Sequence, residues 1–147
     1  MFKTLMSTDA RQWATLPLRI ALGVIFLAHG GQKLFGWFGG KGLLATAGYF
    51  EGTVGLSPGL LWALLAGWGE FGGAVLVLTG LFTRLGALSI AIVMSVALAK
   101  VHWGTFFMPK GMEYAFALLG AAVALLIAGG GRFSLDAWLQ KTNRTRP

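Results

Sequence analysis

Four long apolar segments, separated by short polar stretches, take up most of the 147-residue chain. They run approximately over residues 16–38, 58–80, 84–103 and 113–130. Each is close to the roughly 20 residues that an α-helix needs to cross about 30 Å of hydrocarbon. The sequence therefore predicts an all-α polytopic membrane protein, in which four antiparallel transmembrane helices form one bundle and residues 1–147 form a single domain.

Charged residues are scarce and mostly basic. They make up 12% of the chain, against about 25% in soluble domains, and 12 Lys and Arg outnumber 5 Asp and Glu. The basic residues are spread between the apolar segments, whereas proteins that bind nucleic acids cluster them on one face or run. We therefore expect a lipid bilayer, and no nucleic acid, as the partner of this chain.

The chain contains no cysteine. Disulfides, thiol nucleophiles, Cys-ligated zinc and iron–sulfur clusters are therefore excluded. No intrinsic cofactor is predicted, and any redox chemistry must use a cofactor of another subunit or a bound substrate.

The distribution of basic residues predicts the orientation of the chain in the membrane. With a cytoplasmic N-terminus, eight cations fall on the inner side and four on the outer side, which favours two cytoplasmic termini because cytoplasmic loops are enriched in Lys and Arg. The eight inner residues are Lys3, Arg11, Arg19, Arg84, Arg132, Lys141, Arg144 and Arg146. The four outer residues are Lys33, Lys41, Lys100 and Lys110. Arg19 and Arg84 are expected to lie near the inner boundary, where their side chains extend to water.

Three local features leave alternatives. Segment 16–38 is interpreted as a membrane span and not as a cleaved signal peptide, because Arg19 interrupts its apolar core and no small-residue cleavage site follows. Residues 43–50 of the first outer loop are consistent with a short interfacial or re-entrant helix and equally with a disordered loop. The small-residue pairs Gly69 with Gly73 and Gly120 with Ala124 favour close helix packing within the chain, and a homo-oligomer interface is the alternative.

Several ionisable residues lie within or at the ends of the apolar segments. An ionisable group in hydrocarbon is costly, so each is a candidate for function. At a rise of about 1.5 Å per residue, Glu70 lies roughly 18 Å below the outer surface, His29 roughly 13 Å and Lys33 about 8 Å. The candidate catalytic residues are His29 and Glu70, and the candidate substrate-binding residues are Lys33, Trp68, Lys100, His102 and Glu113.

Structural roles for the same residues stay open. Glu70 could pair with His29 or Lys33 and thereby only stabilise the bundle. Glu113 could be an acidic first-turn residue that interacts favourably with the dipole of its helix. A bis-histidine haem is disfavoured because His29 and His102 differ in expected depth by over 10 Å. No spacing typical of metal ligands is present, so no metal site is predicted.

The order of several short motifs resembles the DoxX family of small four-helix membrane proteins. The first half carries Arg19-x3-Gly23, then His29-Gly30 and Lys33, then Glu70-x-Gly72-Gly73 and Gly80-Leu81-x-Thr83-Arg84. The second half carries Gly111-x-Glu113-Tyr114 and the run from Gly129-x-Gly131-Arg132 through Phe133-Ser134-Leu135 to Asp136. The resemblance covers residues 16–136. It implies a bacterial or archaeal plasma-membrane protein, similar to the membrane subunit of an archaeal thiosulfate:quinone oxidoreductase.

The resemblance and the polar residues together suggest three functions. The first is a subunit of a quinone-linked membrane oxidoreductase, with a quinone or other apolar small molecule in the outer half of the bundle and a separate redox subunit as partner. The second is a permease for a small solute, in which protons are coupled to transport. The third is a structural or assembly subunit of a membrane complex. In the first of these functions the chain could be an enzyme subunit that has no redox cofactor of its own.

Overall fold

The computed structural model describes residues 7–9, 11–107 and 111–144. Lys3, Lys110 and Arg146, which entered the topology count, lie outside the described residues, as does the side chain of Arg144. The helices of the described part are α1 (Thr15–Phe35), α2 (Gly42–Tyr49), α3 (Gly59–Thr79), α4 (Thr83–Lys100), α5 (Glu113–Ala128) and α6 (Leu135–Arg144). Short helical turns cover Trp37–Gly39 and Phe50–Val54, and the described residues contain no strand. The predicted all-α class is confirmed.

A long helix lies at each of the four apolar segments. Helices α3 and α4, with 21 and 18 residues, are long and apolar enough to cross a membrane. Helix α5 is apolar but has 16 residues. Helix α1 also has 21 residues and carries Arg19 and Lys33. It ends at Phe35, three residues before the end of its segment, because Gly36 takes a left-handed conformation and its N–H bonds back to Gly31.

The four long helices pack around a common core. Helix α1 packs on α3, α3 on α4 and α4 on α5, while α5 also contacts α1. Fully buried side chains fill the half of this bundle that contains the start of α1 and the end of α3. These are Leu22, Val77, Ile90 and Leu125. We call this half the Arg19 end and the opposite half the Lys33 end.

Glycines allow α3 and α4 to approach closely. A Cβ placed on Gly73 would lie 3.0 Å from the carbonyl oxygen of Gly86. One turn along α3, the carbonyl of Gly69 accepts a hydrogen bond of 2.9 Å from the Ser89 hydroxyl. The pair Gly69 and Gly73 therefore packs within the chain. Gly120 differs, since it is exposed and a Cβ there would meet nothing within 4 Å.

Arg19 is buried, with an exposure of 2%, so the expectation that it reaches water is wrong. Its guanidinium donates hydrogen bonds to the carbonyls of Val77, Leu78, Gly130 and Phe133, at 2.7 to 3.0 Å. The last carbonyls of a helix lack partners within that helix, and their partial negative charge favours a cation. Gly80, with a φ of 69°, follows α3 directly, and its missing Cβ leaves room for the guanidinium. Arg19 therefore joins the end of α3 to the segment after α5.

Asp136 of α6 contacts the start of α4 at the same end of the bundle. Its carboxylate accepts hydrogen bonds from the backbone N–H groups of Phe82 and Thr83 and from the Thr83 hydroxyl. These N–H groups begin α4 and have no partner within that helix. Arg84 binds backbone as well, since it donates to the carbonyls of Ser7 and Leu126. The Arg19 end is thus held by ionised side chains that bind main-chain groups.

The loop between α1 and α3 contains a helix. Residues 42–49 form α2, which confirms the helical interpretation of this loop over the disordered one. Glu51, just after α2, accepts a hydrogen bond of 3.1 Å from the N–H of Gly59 at the start of α3. The Ser57 hydroxyl donates to the same carboxylate. Glu51 therefore ties α2 to the Lys33 end of α3.

Candidate ligand-binding cavity

A cavity of about 670 Å³ lies at the Lys33 end of the bundle. It is bounded by α1, α3, α4 and α5, and residues of the α2 region contribute to its wall. Helices α3 and α4 are held together at Gly73 and Gly86, but beyond Gly69 they carry larger side chains, including Trp62 and Val93, that line the cavity. The volume falls in the range of about 300–1,000 Å³ that is typical of small-molecule sites.

The wall of this cavity contains an ion pair between α1 and α3. Lys33 Nζ donates a hydrogen bond to Glu70 Oε2 across 2.6 Å. The Glu70 side chain is 3% exposed and that of Lys33 is 25% exposed. Gly30 brings the helices close enough for this contact, because it packs against the backbone of Phe71. A buried pair of this kind tolerates the loss of either partner poorly, since the other charge is then left without compensation.

His29 lines the cavity beside this pair. It lies one turn before Lys33 on α1, so both residues share a face of the helix. His29 is exposed, unlike Glu70. His102, which follows α4, lines the same cavity. The structure therefore brings together four of the seven candidate site residues: His29, Lys33, Glu70 and His102.

The other three candidates lie outside the lining of this cavity. Trp68 is two residues before Glu70 on α3, and residues two apart do not share a helix face. It is 54% exposed and its ring contacts those of Phe35 and Phe71. Lys100 is the exposed last residue of α4. Glu113 is the first residue of α5 and is half-buried.

Several lining residues were not candidates from sequence. Tyr49 and Phe50 come from the α2 region, and Trp62 and Ser89 come from α3 and α4. Ser89 is recognisable in the sequence, because it places a hydroxyl group in the middle of an apolar segment. The contribution of α2 had no such signal, since its position depends on how the loop folds back over the bundle.

A second, smaller cavity of about 380 Å³ adjoins the first. Lys33, Tyr49 and Phe50 line both cavities, while Gln32 and Lys41 line the smaller one. Among the described residues, no three His, Asp or Glu side chains are grouped so that they could hold a metal ion. The imidazole, ammonium and carboxylate groups that line the larger cavity can bind a ligand by hydrogen bonds and charge.

The helical fold, the two membrane-length helices and the apolar cavity with its ion pair define a small α-helical membrane-associated protein. The chain belongs to the DoxX family, whose model matches residues 14–103. A curated relative, named "Putative oxidoreductase CatD", from Bacillus subtilis (strain 168), is 31% identical over 127 residues, which cover 86% of this chain and 87% of the relative. No solved structure matches the chain. The family match spans α1 to α4 and thus includes His29, Lys33, Glu70 and His102.

Proposed function

We propose that α1, α3, α4 and α5 cross the plasma membrane as a four-helix bundle, with both chain termini in the cytoplasm and the Lys33 end facing outward. The apolar composition of α3 and α4 supports this arrangement directly. The pairwise packing of α1 and α5 against these helices extends it to all four. The surplus of basic residues that the sequence assigns to the side of the Arg19 end supports this orientation.

We propose further that the protein is a subunit of a quinone-linked membrane oxidoreductase, and that a quinone or similar apolar molecule binds in the larger cavity. The observation that carries this proposal is the pair of Lys33 with the buried Glu70 in the wall of an apolar cavity that His29 also lines. The name of the Bacillus subtilis relative, "Putative oxidoreductase CatD", agrees with it. A separate redox subunit supplies or removes the electrons.

The side chains have distinct roles in this proposal. Reduction of a quinone to a quinol consumes two electrons and two protons, so its site must supply protons at the two ring oxygens. In quinol oxidation His29 and the Glu70 carboxylate accept the two protons while the separate redox subunit removes two electrons; in quinone reduction their protonated forms return the protons, since imidazole and carboxyl groups are suited to general acid–base chemistry. Lys33 holds the Glu70 carboxylate in place and donates hydrogen bonds towards the ligand.

Ligand binding fits the packing better than passage of a solute through the bundle. The cavity lies at the Lys33 end, whereas Leu22, Ile90 and Leu125 fill the core of the other half with exposures of 0 to 1%. Arg19 adds a buried cation with its carbonyl partners at that end. A permease would need to open this packed half.

Quinone-analogue binding to the purified protein tests the proposal. We expect His29→Ala and Glu70→Gln to weaken binding at least tenfold relative to wild type. Lys100→Gln is the matched control, because this exposed charge lies outside the cavity lining, and it should bind as wild type does. Thermal unfolding of each variant checks that it is folded, and His29→Ala is expected to fold because His29 is exposed. Equal affinity in all four proteins would refute the assignment.

Flux into proteoliposomes that depends on Glu70 would favour the permease, and a Glu70 variant that only loses expression or complex formation would favour an assembly role.

A further inference from the structure

We infer that the larger cavity opens sideways into the hydrocarbon between α3 and α4, and that its ligand is a long-chain amphiphile. The head group of this ligand lies beside Lys33 and Glu70, and its apolar chain leaves through the opening. The inference rests on the proposed function and adds to it the class of ligand and the route by which the ligand enters.

The opening is marked by the three aliphatic side chains of α3 and α4 that line the cavity and are also exposed; a fourth, Val101, follows α4. The three are Leu65 of α3 and Ile92 and Val96 of α4, with exposures of 54%, 56% and 37%. Side chains that line the cavity and are also exposed mark the places where the wall of the cavity is thinnest or open. Because these three side chains are aliphatic, none of them can hydrogen-bond to a ligand that passes through the opening.

The packing of α3 against α4 explains where the opening begins. The helices touch at Gly73 and Gly86, and again where Ser89 bonds to Gly69. Because the helices are antiparallel, the next turn of α3 towards the Lys33 end carries Leu65, and the following turns of α4 carry Ile92 and Val96. Helices α3 and α4 are therefore in close contact from the Ser89–Gly69 hydrogen bond towards the Arg19 end. The opening lies on the other side of this hydrogen bond, towards the Lys33 end.

The depth of the opening places it within the bilayer. Leu65 lies six residues after Gly59, the first residue of α3, which corresponds to roughly 9 Å along the helix. A hydrocarbon core is about 30 Å thick, so an opening at this depth faces lipid chains. An apolar chain that leaves the cavity here stays in an apolar environment, as lipid tails are as apolar as leucine.

The cavity lining is charged where α1 meets α3 and aliphatic at the α3–α4 opening, while Ser89 and His102 are the polar lining residues of α4 and the segment after it. Lys33, Glu70 and His29 lie on the α1 side and at the contact of α1 with α3, whereas the α3–α4 opening is formed by Leu65, Ile92 and Val96. A ligand with a hydrogen-bonding head and an apolar chain matches this division. A small polar solute would have to cross hydrocarbon to enter by this route.

A second route would be more polar. His29 of α1 and Tyr114 of α5 also line the cavity and are exposed. A water-soluble ligand would favour that side, because an imidazole and a phenol hydroxyl can hydrogen-bond to it. The two routes lie on different helix pairs, so side-chain enlargement can block one at a time.

The experiment compares two benzoquinone analogues that share a head group, one with a methyl and one with a decyl substituent, on protein reconstituted in lipid nanodiscs. Leu65→Trp and Ile92→Trp narrow the α3–α4 opening, and Tyr114→Trp is the matched change on the other side. Leu65 and Ile92 are each more than half exposed, so either variant can serve if the other does not fold. Leu61→Trp and Leu88→Trp are the matched controls, because these leucines are exposed on α3 and α4 and lie outside the cavity lining.

We expect Leu65→Trp and Ile92→Trp to weaken binding of the decyl analogue at least tenfold while binding of the methyl analogue changes less than twofold. Leu61→Trp and Leu88→Trp should leave both affinities within about twofold of wild type, and Tyr114→Trp should weaken binding of the decyl analogue much less than Leu65→Trp does. Loss of decyl binding in Tyr114→Trp with unchanged binding in Leu65→Trp would overturn the inference and leave the proposed function intact. Failure of both analogues to bind the wild type would refute the proposed function together with the inference.

Discussion

The ammonium of Lys33 and the carboxylate of Glu70 lie 2.6 Å apart, although the residues are separated by 37 positions in the chain. Removal of either charge leaves the other uncompensated beside an apolar cavity. We predict that Lys33→Met and Glu70→Leu each lower the stability by about 3 kcal/mol. The double variant should lose less than the sum of the two, because it leaves no unpaired charge. Thermal unfolding in detergent measures this, and strict additivity would show that the two side chains do not interact.

Arg19 is expected to be the most sensitive cation in the chain. Its guanidinium binds four carbonyls while 2% exposed. Arg19→Met should lower the stability by more than about 3 kcal/mol, since hydrogen bonds to charged groups contribute about 1.5–3 kcal/mol each. Arg19→Lys should also destabilise, because an ammonium cannot reproduce the planar set of donors.

Arg132→Lys provides the comparison for the Arg19 variants. Arg132 is exposed and lies 4.7 Å from the centre of the Trp13 ring. Its replacement by lysine should change the unfolding temperature much less than Arg19→Lys does. Similar losses at both positions would contradict the role assigned to the buried guanidinium.

Asp136 joins α6 to the start of α4. Its two carboxylate oxygens accept three hydrogen bonds from Phe82 and Thr83, and the residue is 1% exposed. Asp136→Ala should destabilise by about 1–2 kcal/mol, the range for loss of a helix N-cap. Asp136→Asn keeps one acceptor oxygen and should fall between wild type and Asp136→Ala in thermal unfolding. An alanine variant as stable as the asparagine variant would argue against the capping role.

The close contact of α3 and α4 depends on glycine. A Cβ at Gly86 would lie 2.7 Å from the carbonyl oxygen of Gly73, whereas one at Gly120 would meet nothing within 4 Å. Gly86→Ala should therefore lower the unfolding temperature and shift the two helices apart. Gly120→Ala should be neutral or slightly stabilising, because alanine favours a helix over glycine by about 1 kcal/mol. Equal effects would show that packing at Gly86 adapts to the extra methyl group.

Much of the secondary structure follows from local composition. A run of about 20 apolar residues favours a helix wherever it lies, because its backbone groups are satisfied within the segment. The helices α1, α3, α4 and α5 therefore lie where the sequence predicts them, and the α1 and α3 ends coincide with Gly36 and Gly80. The ionisable candidates could likewise be picked out, because a Glu or His within such a run stands out from its neighbours.

The sequence by itself determined the all-α class, the positions of the four long helices and the candidates His29, Lys33 and Glu70. Only the tertiary structure decided that Lys33, and not His29, pairs with Glu70, and that Trp68 faces away from the cavity. It also placed Arg19 in the core, where the sequence favoured a position at the boundary. The reason is that such contacts depend on how each helix is rotated and how closely two helices approach. Those quantities are set by contacts such as Gly73 with Gly86, between residues that are distant in the chain, and local composition does not contain them.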